Sequence, residues 1–107
     1  MKIEVLYFEG CPNHGPAVEM VRDTLNTLGR RDEIQQVEIR TQAEAEAMRF
    51  VGSPTIRING HDIELWARAA KTFGLSCRTY LDGLHYGGVP SRELLCRAMS
   101  EGIREGN

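Results

Sequence analysis

The chain has 107 residues, 41% of them hydrophobic, 26% charged and 7% aromatic, which is room for one domain with one core. Thirteen Lys and Arg against fifteen Asp and Glu leave a formal net charge of −2, and this removes any whole-chain case for a nucleic-acid partner. No apolar run reaches the roughly 18 residues of a membrane span, and Glu4 interrupts the stretch a signal peptide needs, so a soluble, cytoplasmic protein with no membrane partner is expected.

Lys2 to Glu9 is rich in β-branched and aromatic residues and almost wholly apolar from Val5 to Phe8, as a central strand covered on both faces would be. Gly10 to Gly15 breaks it. From Pro16 to Leu28, the residues Val18, Val21, Leu25 and Leu28 recur at helical spacing, and Gly29 suits the helix end because it takes positive φ freely. Gln36 to Arg40 alternates as a half-buried strand. Thr41-Gln42-Ala43-Glu44 reads as a capping box, opening a helix to about Phe50 that buries Ala45 and Met48. Thr55 to Asn59 alternates again with Ile56 and Ile58 inward. Asn59-Gly60 is then a hairpin turn signal, returning a short antiparallel strand over His61–Glu64. Trp66, Ala69, Ala70 and Phe73 have helical spacing, and Pro90 to Ile103 is a final helix with Leu94, Leu95, Ala98 and Met99 inside. The order is β-α-β-α-β-β-α, a single α/β domain over 1–107 with residues 65–88 inserted before the last helix. A right-handed parallel crossover opens it and an antiparallel hairpin extends the sheet.

Three well-separated cysteines, Cys11, Cys77 and Cys96, form no disulfide framework, so in a reducing compartment each is packing, metal ligand or reactive thiol. Cys11-Pro12-Asn13-His14 follows the first strand at the mouth of the first helix. Free backbone N–H groups and the helix dipole there favour thiolate over thiol. His14 lies about one turn on, able as a cation to favour the thiolate or as a neutral ring to take its proton. Gly52-Ser53-Pro54-Thr55 leads into the third strand, where proline costs the ladder nothing. Cys77 lies among Arg68, Lys71 and Arg78 in a stretch, 65–81, with no acid; a positive setting activates a thiol or attracts an anionic one. Cys96, beside Leu94 and Leu95, reads as packing.

The C-P-x-x loop after the first strand, the element order and the Ser-Pro-Thr before the hairpin together resemble the thioredoxin and glutaredoxin superfamily over nearly the whole chain. The resemblance implies a thioredoxin-like sandwich with a four-stranded mixed sheet. It implies Cys11 as nucleophile, and a cis Pro54 facing it as the platform for a substrate backbone, with Pro12, Ser53 and Thr55 beside it. The run Phe8 to His14 is also similar to small bacterial thioredoxin-like proteins, some of which carry alkylmercury-lyase-type names. The superfamily's second motif cysteine falls at His14, so dithiol exchange cannot run within this loop. A monothiol mechanism is expected instead, Cys11 attacking a disulfide and Cys77 or glutathione resolving the adduct. The partner is then a disulfide-containing protein or a small thiol, with no resident cofactor or metal, acting as monomer or homodimer.

Two rivals stand beside this. A soft-metal site would draw on Cys11, His14 and Cys77 with His61 or His85. Its organomercury form needs two thiols and an acid such as Glu9 or Asp62. The other is a non-catalytic binding module of the same fold.

Overall fold

The central strand β1 (Ile3–Tyr7) organises a computed structural model that describes residues 1–104; residues 105–107 of the expected domain lie outside the described residues. β1 runs parallel to β2 (Ile34–Glu38), with Ile3 opposite Ile34, and antiparallel to β3 (Thr55–Ile58), with Ile3 opposite Ile58. The two-residue β4 (His61–Asp62) adds to the far side of β3, giving one four-stranded mixed sheet in the order β2-β1-β3-β4. The period-2 alternation of β1 then sorts its side chains. Ile3 and Val5, with Ile56 and Ile58, pack under α1 (His14–Thr27) and α4 (Arg92–Arg104) through Val18, Val21, Leu25, Leu95 and Met99. Leu6 and Ile39 pack on the other face with Ala45 and Phe50, beneath α2 (Gln42–Ala47). Both faces are covered, as the unbroken apolar run demanded, and the α/β architecture is the one expected.

Local signals placed most of the boundaries. Glu44 N donates to Thr41 Oγ1 at 3.1 Å, and the Glu44 carboxylate accepts from Arg40 N at 2.6 Å, closing the capping box one residue upstream of its usual partner. Asn59 and Gly60 both have positive φ, 53° and 85°. Helix α2 stops short of Phe50 because Arg49 turns left-handed, at φ 55°. β2 begins two residues earlier than the alternation suggests, since parallel pairing with Ile3–Tyr7 sets its start. Helix α4 begins at Arg92 rather than Pro90: the Ser91 hydroxyl accepts from Leu94 N at 3.1 Å and is the cap.

The stretch 65–88 departs most. The helix through Trp66, Ala69, Ala70 and Phe73 shrinks to α3 (Leu65–Arg68), which buries Ala67 and leaves Trp66 exposed. Beyond it β5 (Tyr80–Asp82) and β6 (His85–Gly87) form a separate antiparallel hairpin. Gly83, at φ 62° as the first residue of the two-residue loop Gly83-Leu84, is the sequence signal for it. Among the described residues no helix is long and apolar enough to cross a membrane.

Candidate functional site

The C-terminal end of β1 carries Cys11. A tight turn folds the chain back, Cys11 N donating to Phe8 O at 3.2 Å, and leaves Cys11 9% exposed beside the exposed Pro12. His14 N then donates to Cys11 O at 3.3 Å as α1 begins. Asn13 is the helix N-cap but gives no side-chain cap. Its amide lies instead against Gly88, where a Cβ would meet Asn13 Nδ2 at 2.1 Å. The far end of the 65–88 stretch therefore rests on the Cys11 loop.

His14 is held away from simple solvent exposure. Its ring stacks on Tyr7 with centroids 3.6 Å apart and planes 7° from parallel, and Nε2 shares a 2.7 Å hydrogen bond with Gln36 Oε1 on β2. With Nε2 donating to that oxygen, Nδ1 is the ring's basic atom.

The other half of the site enters from β3. The Ser53–Pro54 bond is cis, as the resemblance implied, and Ser53, Pro54 and Thr55 are all buried. Leu6 pairs with Thr55, so the register continued by two residues sets Phe8 opposite Ser53. Cys11, bonded to Phe8, and the cis proline thus share one end of the sheet. Ser53 has a further neighbour. Its N–H donates to Ser76 O at 2.8 Å, and its carbonyl accepts from Arg78 N at 3.0 Å. Cys77, between them, forms an isolated parallel bridge with Ser53 and is itself exposed. All three cysteines are free thiols, and Cys96 sits half-buried on α4.

Arg78 anchors this segment, and its role escapes any local pattern. Its side chain is 1% exposed and donates to both Asp62 oxygens at 2.8 Å, to Glu64 Oε1 at 3.0 Å and to Thr55 Oγ1 at 3.2 Å. The guanidinium also stands 4.4 Å from the centre of the Tyr80 ring and 5.0 Å from that of Trp66. Burial alone would lower its pKa, but the hydrogen bonds and charge of Asp62, with Glu64, more than offset this and raise it. Burial likewise raises the Tyr80 phenol well above its ordinary range, and its O–H donates to Pro54 O at 2.5 Å. The positive setting expected around Cys77 is therefore partly neutralised, because the charge of Arg78 is shared between two carboxylates.

The metal rival finds little here. His61 lies in the hairpin that pairs with the N-terminal end of β1, the opposite end of the sheet from Cys11. The side chain of His85 lies outside the described residues. Among the described residues no three His, Cys, Asp or Glu side chains gather as a metal site would. Asp62, one of the two candidate acids, has both oxygens on Arg78, and Glu9 is exposed. Beside the Cys11 turn, Phe8, Glu9, Glu38, Ile39, Arg40 and Leu75 line an open cleft of about 500 Å³, at the carboxyl ends of β1 and β2 where open α/β sheets take ligands.

No curated protein and no solved structure matches the chain significantly. One domain family matches residues 15–102, a span that contains Ser53, Pro54, Thr55 and Cys77 and begins just after Cys11 and His14. The chain therefore belongs to the family described as a domain of unknown function, DUF2703.

Proposed function

We propose that the protein is a thioredoxin-like thiol–disulfide oxidoreductase of the cytoplasm, with Cys11 as its nucleophile. The observation that carries this is the placement, at the same end of the sheet, of a nearly buried cysteine turn and the Ser53-Pro54-Thr55 segment. The Cys11 thiolate attacks a disulfide, forming a mixed disulfide and releasing one thiol. His14, through Nδ1, takes the Cys11 proton, while Tyr7 and Gln36 hold its ring in place. The partner is a disulfide-containing protein or a small thiol, the latter entering as its disulfide, and the open cleft beside Phe8 is the approach to the turn. The chain acts as monomer or homodimer with no resident cofactor, glutathione serving as co-substrate.

The test is turnover of a small glutathione mixed disulfide with glutathione as reductant. Wild type turns it over, Cys11→Ser does not, and Cys96→Ser is unaffected. At neutral pH Cys11 is alkylated faster than Cys96, and His14→Ala slows that reaction. Absence of turnover, together with Cys11 alkylation no faster than Cys96, would overturn the reading and leave the non-catalytic binding module.

A further inference from the structure

In a thioredoxin-like reading the backbone of Ser53 is the platform on which a substrate strand docks, and here neither of its groups is free. The N–H goes to Ser76 O and the carbonyl to Arg78 N, the pair of bonds a parallel strand centred on Cys77 would make. This is strand addition at a sheet edge, performed by the chain on itself. The edge stands open because β4 is short. Continuing the β3–β4 register would set Leu65 and Trp66 opposite Pro54 and Ser53, but the chain turns into α3 at Leu65. Residues 76–78 return to fill the gap.

The occupant is fixed from three sides. Arg78 is clamped by Asp62, Glu64 and Thr55. Gly52, at φ 140°, lets the backbone approach so closely that a Cβ would lie 3.0 Å from Arg78 Cβ and 3.2 Å from Ser76 O. Further along, Gly88 rests on Asn13 of the Cys11 loop. Between Ser76 and Arg78 the segment presents Cys77, an exposed free thiol.

We infer that residues 76–78 are a built-in occupant of the Ser53–Pro54 platform, and that Cys77 is the second thiol of the reaction Cys11 begins. This rests on the reading of Cys11 as nucleophile. An incoming disulfide R–S–S–R′ is attacked by the Cys11 thiolate, which forms Cys11–S–S–R and expels R′S⁻. Cys77, as thiolate, attacks the Cys11 sulfur, expels RS⁻ and closes a Cys11–Cys77 disulfide. The two cysteines lose two electrons, the substrate gains them, and the two cysteine protons end on RSH and R′SH. Two equivalents of a monothiol such as glutathione, oxidised to its disulfide, reduce the pair again. Closure requires the two Cα atoms to come within about 4.4–6.8 Å. Because the platform is filled, an extended peptide strand has no backbone groups to pair with, and the substrate class is a small disulfide rather than a folded protein's strand.

The experiment treats reduced full-length protein carrying Cys96→Ser with glutathione disulfide, then quenches with acid and maps disulfides by mass spectrometry. With Cys77 present, the expected product is an intramolecular Cys11–Cys77 link, with the glutathione adduct on Cys11 at least about 10-fold shorter-lived than in Cys77→Ser, as an intramolecular thiol at high effective concentration dictates. Cys77→Ser accumulates the adduct and unfolds at the same temperature, its site being on the surface. An adduct equally stable with and without Cys77, or links formed only between molecules, overturns the inference while leaving Cys11 as nucleophile. No adduct on Cys11 even in Cys77→Ser overturns the functional reading itself.

Discussion

Replacing Arg78 by Met keeps much of the side chain's length and removes its charge. What stays behind is an aspartate 6% exposed and a glutamate 10% exposed, stripped of three hydrogen bonds at 2.8, 2.8 and 3.0 Å. Breaking a buried ion pair by deleting one partner costs about 3–5 kcal/mol, since the remaining charge is uncompensated. The ring contacts with Tyr80 and Trp66 add roughly 1 kcal/mol. A domain of this size has about 5–15 kcal/mol in all, so Arg78→Met should remove roughly a quarter of it or more. At about 5 °C per kcal/mol for a chain of this length, the melting temperature falls by roughly 20–30 °C. Thermal and urea unfolding followed by circular dichroism measures both quantities. Adding Asp62→Asn to Arg78→Met removes the worse of the stranded charges and should recover part of the loss. A cost below about 1 kcal/mol for Arg78→Met, or a further loss on adding Asp62→Asn, would refute the buried-pair reasoning.

Gly52→Ala should destabilise by about 1–3 kcal/mol, because it places a side chain at φ 140° against Arg78; hydrogen exchange at the Arg78 amide should quicken with it, and an unchanged amide would refute the close approach. Ser53→Ala keeps the backbone pairing but deletes a fully buried hydroxyl with no partner among the described residues, so stability by urea titration should hold or rise by up to about 1 kcal/mol; a clear loss would mean that the hydroxyl is satisfied in solution. The Asp32 carboxyl is held down to about 2 by its hydrogen bonds with Arg30, against the opposing effect of burial, with the N-terminal amine helping. Its contribution is therefore complete above about pH 4 and is lost as pH falls towards 2; Asp32→Asn should flatten the acid limb of the stability–pH curve in that window, and an unaltered limb would refute it.

Where apolar periodicity and cap chemistry do the folding, the elements were legible in the sequence. The stripe Val18, Val21, Leu25 found α1, Thr41 and Glu44 found α2, and Asn59-Gly60 found the hairpin. Between 65 and 88 a different physics holds the chain. Trp66 looked like an inward helical position, yet it faces outward and pairs with Glu64 and Arg78. The segment is fastened by backbone bonds to Ser53 and by one buried guanidinium, and neither has a period to detect. In the sequence Arg78 counts only towards the positive setting of Cys77, because its partners, Asp62 and Glu64, are 16 and 14 residues distant and charged residues are rarely buried. The Cys11 and Pro54 halves of the site were legible because each sits at a strand end. That Cys77 stands beside Ser53 was not, since a single-residue bridge leaves no mark on composition or spacing.

The chain's one tryptophan stands over the very guanidinium that fastens residues 76–78, with its indole N–H donating to Glu64 at 3.0 Å. Trp66 is therefore a native fluorophore wired to the latch. A cation against its face and a carboxylate at its nitrogen set its emission, and the cation leaves when Arg78 withdraws. Detachment of the segment can thus be followed in real time as a change in tryptophan emission, without a label, and separately from global unfolding, which far-ultraviolet circular dichroism reports.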